Sequence, residues 1–370
     1  MSKKMSGGGG FSKRQLVTAV VVTAVLVAGI AVGVYFAFGR GSGRKDAGGK
    51  KTRPSQAGEE EKKQSAPEVP GKLVEKVVFQ RGGSIWIMNP DGSGAKRLTY
   101  QGKDDYPRLS PDGRWVVFDR RPGGSASEGS AAGSIYRIGT DGKNIKRLTN
   151  PGSRGRSCEQ ASFSPEGTRI CYAFQEKAGD AQRVGIAELD MSGEDMKETT
   201  VVAEETMGGT RFYCPRYTPA GDAIYFNYSP GGGPPLCSLQ MIFADGTGRT
   251  TVAETEPGAP VVNGYWDFGI SPDGKRIACA LISQAHPGFL SELCTMKMDG
   301  SDRMPINLGF KPLGAPWIAT VCWSPDGLEI GFTDMAQQDP AMWVIGSDGK
   351  GLRRVASEAG HLDWGRAIEE

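Results

Sequence analysis

The 370-residue chain predicts an all-β fold: a six-bladed β-propeller of four-stranded antiparallel blades, preceded by one transmembrane α-helix and a disordered linker. Three observations carry this expectation. A Ser-Pro-Asp-Gly turn or a near copy returns at Ser110, Ser164, Thr218, Ser271 and Ser324, in steps of 54, 54, 53 and 53 residues. A second turn, mostly Asp-Gly, interleaves with it six times, after Asn89, Thr140, Met191, Ala244, Met298 and Ser347. An uncharged apolar stretch runs from Leu16 to Phe38. A repeat period near fifty residues marks stacked structural units.

Residues 1–14 form a short basic tail carrying Lys3, Lys4, Lys13 and Arg14. Residues 15–38 are expected to form a signal-anchor helix. At about 1.5 Å per residue it is long enough to cross a hydrocarbon core of about 30 Å. A cleaved signal peptide has a shorter apolar core and a small-residue cleavage site, which Ala37-Phe38-Gly39-Arg40 does not supply. A strict count of flanking cations favours a cytoplasmic head, with six after the helix against four before it. A short basic tail before a first apolar helix instead favours export, and that orientation is the one expected here: a single-pass membrane protein with an extracytoplasmic head. Gly29 and Gly33 form a small-xxx-small pair that offers a helix-dimerisation face and so a homodimer.

Residues 39–72 are Gly, Ser, Lys, Glu, Pro and Ala with almost no large apolar side chains, a composition that cannot bury enough surface to fold. Residues 1–72 hold 13 Lys and Arg against 5 Asp and Glu, a net of +8. The remainder holds 31 against 37, a net of −6. An acidic head disfavours nucleic acid as a partner, because phosphate contact needs clustered Lys and Arg.

Residues 73–370 hold the repeat. Proline fits the second position of a type I turn, and glycine accepts the left-handed geometry that follows. Asp-Gly between apolar runs is a hairpin signal. The unit is therefore four short strands. There are six second turns but five first turns. The segment His361-Leu362-Asp363-Trp364-Gly365 matches the approach to a first turn, as in Val321-Cys322-Trp323-Ser324. That last strand is expected to pair with the strands starting near Leu73 and close the ring, which leaves only short, protected sheet edges.

These paired motifs, S-P-D-G-x-x-(I/V)-x-F followed by a strand ending in D-G and then x-R-L-T, resemble those of the TolB-like, WD-repeat-like six-bladed propellers. The resemblance covers about the last four-fifths of the chain. It implies the fold, and it implies a role either as a binding module or beside a catalytic domain. The third blade departs from the pattern with Met191-Ser192-Gly193, and the fourth with Thr218-Pro219-Ala220-Gly221.

No catalytic motif is present. There is no G-x-S-x-G elbow, and only His286 and His361 could serve as nitrogen ligands, too few for a zinc or histidine-rich site. No cofactor and no metal are expected. The seven cysteines contain no C-x-x-C pair and suit free core thiols. Bridges joining Cys279 to Cys294, or Cys158 to Cys171, remain open alternatives.

The tight turns share one face of the wheel. The opposite face collects the variable segments 121–133, 150–157, 229–235, 254–264, 283–291, 309–317 and 334–340. Varied loops on one rim suggest recognition. Counting back from each first turn, strand alternation places Leu109, Phe163, Tyr217, Ile270, Trp323 and Trp364 between blades. It places Tyr106, Arg108, Gln160, Arg216, Asp267, His361 and Asp363 at the channel mouth. This set suits a peptide terminus or a sugar, or it simply lines a hydrated channel and pairs with itself. The expected function is a membrane-anchored binding module for a protein, peptide or cell-envelope ligand. The alternative is a propeller enzyme acting on glycans or peptides through Asp105, Glu159, Asp267 or Asp363.

Overall fold

The structure, a computed structural model, describes residues 71–369 apart from 102, 122–131, 151, 153–154, 232–236, 255–262, 286–287, 310–316 and 336–339. The expected tail, the helix with Gly29 and Gly33, the linker up to residue 70, and His286 lie outside the described residues.

Short runs of β-branched and aromatic residues between turn residues form the strands. Blade one begins with β1 (Leu73–Arg81), β2 (Ser84–Met88) and β3 (Lys96–Arg97). Blade two is β4 (Lys103–Leu109), β5 (Trp115–Arg121), β6 (Ser134–Gly139) and β7 (Lys146–Arg147). Blade three is β8 (Ser157–Phe163), β9 (Arg169–Ala178), β10 (Ala181–Asp190) and β11 (Lys197–Thr206). Blade four is β12 (Thr210–Tyr217), β13 (Ala223–Pro230), β14 (Ser238–Phe243) and β15 (Thr250–Ala253). Blade five is β16 (Asn263–Ile270), β17 (Arg276–Ala285), β18 (Gly288–Lys297) and β19 (Met304–Pro305). Blade six is β20 (Ile318–Trp323), β21 (Glu329–Asp334), β22 (Ala341–Gly346) and β23 (Arg353–Ser357), and β24 (Leu362–Ile368) follows.

Five sheets are built from consecutive strands. The sixth has the order β24-β1-β2-β3, so blade one takes its innermost strand from the far end of the chain. Val77 pairs with Trp364 in an antiparallel register running from Leu73↔Ile368 to Phe79↔Leu362. The innermost strands β24, β4, β8, β12, β16 and β20 touch in a closed ring, with β20 returning to β24. Six apolar cores fill the six gaps between neighbouring blades. Phe79 and Leu362 lie between blades six and one, Phe118 and Leu109 between one and two, and Phe332 and Trp323 between five and six. Each such buried side chain contributes roughly 1.5–3 kcal/mol.

The repeated tetrapeptide has a second use beyond turning the chain. Its glycines hold φ between +67° and +75°. Four of the five also lie against the proline of the preceding blade: Gly167 on Pro111, Gly221 on Pro165, Gly274 on Pro219 and Gly327 on Pro272, while Gly113 meets Leu73 and Ala367 of blade one. A Cβ on any of those four glycines would sit 3.5–3.7 Å from that proline. Proline and glycine therefore form four rungs on the turn face. Inside the first turn, Ser110 Oγ donates to Asp112 Oδ1 (2.5 Å) and accepts from Trp115 N–H (2.9 Å). In blade four, which lacks the usual Ser and Asp, Thr218 Oγ1 donates to Asp222 Oδ1 instead (2.5 Å).

The Lys-Arg-Leu-Thr motif latches the outer strand to its blade. Arg97 donates to Ser84 Oγ (2.7 Å) and to Thr99 O (2.7 Å), while Thr99 Oγ1 accepts from Ile85 N–H (2.9 Å). Arg147, Ser134, Thr149 and Ile135 repeat this arrangement. Blade three, with its divergent second turn, differs here. The Asx role passes to Asp190, which accepts from Ser192 N–H (2.8 Å), and the outer strand β11 runs for ten residues.

All seven cysteines are buried free thiols. Cys279 and Cys294 are direct cross-strand partners with their sulfurs 3.1 Å apart. Cys158 and Cys171 point into different interblade cores, so that alternative pairing is not formed.

Candidate binding site in the central channel

The inner strands carry the channel wall, and none of the five within blades two to six keeps an unbroken two-residue period. Two residues bulge out between Asp105 and Arg108, between Glu159 and Ser162, and between Tyr213 and Arg216. One residue bulges between Tyr265 and Asp267, and one between Ile318 and Thr320. In the three larger bulges the first residue is left-handed: Tyr106 (φ 49°), Gln160 (φ 59°) and Cys214 (φ 49°). Such a backbone costs roughly 1–3 kcal/mol and needs local support. Asp105 Oδ1 accepts the Tyr106 N–H (2.9 Å). Both Asp119 oxygens accept the Gln160 N–H (2.8 Å each), and Gln160 Oε1 accepts the Cys214 N–H (2.8 Å).

The expected site residues divide into two tiers. Tyr106, Gln160 and His361 form the tier towards the variable-loop face. The Tyr106 ring stacks on His361 with centroids 3.7 Å apart, and His361 Nδ1 lies 2.7 Å from Asp105 Oδ1. Glu159 stands beside this group, bonded to Ser157 Oγ (3.0 Å) and 3.6 Å from Arg121. At the same rim Trp266 meets Trp317 edge to face at 6.3 Å, and Trp317 is 49% exposed.

Arg108, Arg216, Asp267 and Asp363 form the second tier, below the bulges. Arg216 donates to Asp267 Oδ1 (2.9 Å), and Asp267 Oδ2 accepts the Val321 N–H (3.0 Å). Burial opposes the Asp267 charge, but Arg216 and Arg108 outweigh it and hold the carboxyl below its ordinary pKa. Arg108 donates Nη1 to Leu362 O (2.6 Å) and Pro107 O (3.1 Å), and Asp363 Oδ2 accepts the Leu109 N–H (2.9 Å). These bonds tie blade one to blade two and blade four to blades five and six. Arg108, Arg216 and Asp363 also line a cavity of about 230 Å³ with Pro111, Pro165 and Pro219, the proline rungs of the turn face.

Four contributors escaped the sequence reading. Cys214 occupies the same repeat position as Tyr106 and Gln160, so alignment alone could have found it. Asp119 lies on a second strand, and no inner-strand alignment reaches it. Trp317 precedes its strand. Ser162 lines the turn-face cavity from the inner strand of blade three.

Asp119 is fully enclosed. Burial, and next the negative charge of Glu159, push its carboxyl well above the ordinary value of 3.8. A raised folded pKa gives a contribution that is greatest below the unfolded value and declines as pH rises towards the folded one. Asp119→Asn keeps an acceptor for Gln160 but removes that decline. The variant should therefore gain stability relative to wild type as pH rises from 4 to 8, on the order of 1–3 kcal/mol. Urea midpoints at the two pH values check this. An unchanged difference would mean that Asp119 is not held protonated.

Among the described residues, no group of three or more His, Cys, Asp or Glu is arranged to hold a metal ion. No protein-family model matches the chain. It is 29% identical over 156 residues to uncharacterized protein Atu1656 of Agrobacterium fabrum (strain C58 / ATCC 33970), covering 40% of this chain and 47% of that relative. The match thus spans about half the length of that curated relative. Among solved structures it is similar to TolB from Acinetobacter baumannii (TM-score 0.57, 17% identity, 81% of this chain and 67% of that one). It is also similar to a chain of a nidogen/laminin complex (0.55, 12%, 79% and 98%). A third is a Mycobacterium tuberculosis puromycin-hydrolyzing peptidase (0.51, 12%, 79% and 44%). The fold is that of a six-bladed β-propeller. The TolB structure shares that fold. At these identities the likeness extends to the fold alone, and the fold serves binding proteins and enzymes alike.

Proposed function

We propose that the protein is a membrane-anchored binding module whose propeller docks a protein or peptide through its variable-loop face. The observation that carries this reading is the composition of that rim. It combines the exposed Trp317 against Trp266, the Tyr106–His361 stack, and the charged Arg121, Glu159 and Asp105. Aromatic anchors beside charged groups are the usual composition of protein-binding hot spots. The similarity to TolB and to a chain of a nidogen/laminin complex agrees with such a role. The anchor rests on the uncharged stretch from Leu16 to Phe38, with the head outside the cytoplasm. The enzymatic alternative rests on Asp105, Glu159, Asp267 and Asp363, of which Asp105, Asp267 and Asp363 each accept a main-chain N–H and Glu159 accepts from Ser157 Oγ.

The test uses the full chain in detergent, exposed to the envelope fraction of its own cells. A retained polypeptide should be lost at least tenfold in Trp317→Ala and remain bound in Tyr100→Ala, an exposed aromatic next to the outer strand of blade one. Equal loss in both variants would reject the loop-face site. Protease treatment of intact cells should cleave the head, and full protection would overturn the orientation.

A further inference from the structure

The opposite end of the channel is built differently, and nothing in the loop-face reading uses it. Arg108 is 7% exposed, yet no carboxylate lies within ion-pair distance of it among the described residues. It donates to two main-chain carbonyls, both through Nη1. Arg216 is 9% exposed and is paired with Asp267, but its Nε is buried without a hydrogen-bond partner. Of the two, Arg216 holds the donor that is buried without a partner, and such a donor costs free energy until a ligand or a water completes it. Both side chains face the cavity of about 230 Å³, which opens among the proline rungs.

Charge and wall chemistry narrow the class of ligand. Asp363 lines the same cavity and Asp267 stands behind Arg216, so the two cations face two anions. These four charges balance before a ligand binds, so a monoanion leaves one net negative charge on the cluster and a dianion leaves two, which favours the monoanion. The remaining wall mixes Leu109, Phe163, Tyr217 and Ile270 with the hydroxyls of Ser162, Ser164 and Thr218. A planar monoanion with a short apolar body fits a guanidinium fork set in such a wall. The volume suits one small group rather than a folded chain.

We propose that the turn-face end of the channel is a binding site for a carboxylate monoanion, held by Arg108 and Arg216. The carboxylate belongs either to a small organic acid or to the C-terminus of an extended peptide. The probes are propionate, inorganic phosphate, acetyl-Gly-Ala with a free carboxylate, and acetyl-Gly-Ala amide, each titrated against the full chain in detergent with saturation-transfer NMR. Propionate should bind, and phosphate and the amide should not. Tighter binding of the dipeptide acid assigns the site to peptide termini, and binding of propionate alone assigns it to small acids. Arg108→Gln should weaken binding about tenfold or more, as expected for a charge-assisted hydrogen bond. Because that variant also loses a blade-to-blade bond, Ser162→Leu is measured beside it. It leaves both arginines in place, fills the cavity, and should also abolish binding. Trp317→Ala should leave propionate binding unchanged, which separates failure here from failure of the loop-face reading. Equal binding of acid and amide, preference for phosphate, or no binding to folded wild type would each overturn the proposal.

Discussion

Truncation after Gly360 is expected to abolish the cooperative unfolding transition of the propeller. The lost segment is the innermost strand of blade one, and it buries Leu362, Trp364 and Ala367. At roughly 1.5–3 kcal/mol for each large apolar side chain, Leu362 and Trp364 alone account for about 3–6 kcal/mol. The seven-residue ladder with β1 is lost as well, and so is the carbonyl that holds Arg108. The sum is comparable to the whole stability of an ordinary domain, about 5–15 kcal/mol. Truncation also exposes the β1 edge, a template for aggregation. Near-UV circular dichroism in a urea titration checks the loss. A synthetic peptide spanning residues 360–370, added in trans, should restore part of the signal by pairing with Leu73–Phe79. A truncated chain with the wild-type midpoint would mean that ring closure contributes little.

The closure was legible because it rests on counting. Six second turns against five first turns leave one strand to find, and the alternation around Trp364 identifies it. The interblade positions were legible for a related reason: Leu109, Phe163, Tyr217, Trp323 and Trp364 recur at one offset from a turn. The channel was less legible, because its wall is set by bulges. Nothing in Tyr106, Gln160 or Cys214 as residue types signals a positive φ, which Gly and Asn favour. The support for Gln160 comes from Asp119, 41 residues away on another blade. A strict period of two therefore put Tyr106, Gln160, His361 and Asp267 into one class. In the structure the first three gather near Asp105 and Asp119, while Asp267 joins Arg216 below. The second use of the repeated Pro and Gly was also hidden, since each satisfies its own turn and only the stacked ring brings them together.

The Arg216–Asp267 pair should show the largest single-site effects. Both side chains are nearly enclosed, so removing one partner strands the other in the wall. Arg216→Leu and Asp267→Leu should each cost about 3–5 kcal/mol. The double variant, which removes both charges, should cost clearly less than the sum, because replacing a buried pair by apolar groups is often close to neutral. The pH dependence separates the two single variants. In wild type, the depressed Asp267 pKa contributes stability that is present above the ordinary value of 3.8 and is lost as pH falls through the folded one. In Arg216→Leu, burial of Asp267 is opposed only by the more distant Arg108 and the Val321 N–H, so its pKa should rise. That variant should then lose stability as pH climbs from 4 to 7, where wild type does not lose it through this group. Asp267→Leu has no such carboxyl and should show neither slope. Urea midpoints at pH 3, 5 and 7 for the four proteins of the cycle provide the measurement. Parallel curves for wild type and Arg216→Leu would mean that Arg216 does not hold Asp267 ionised. The ring of charges would then contribute to packing of the wheel but not to its electrostatics.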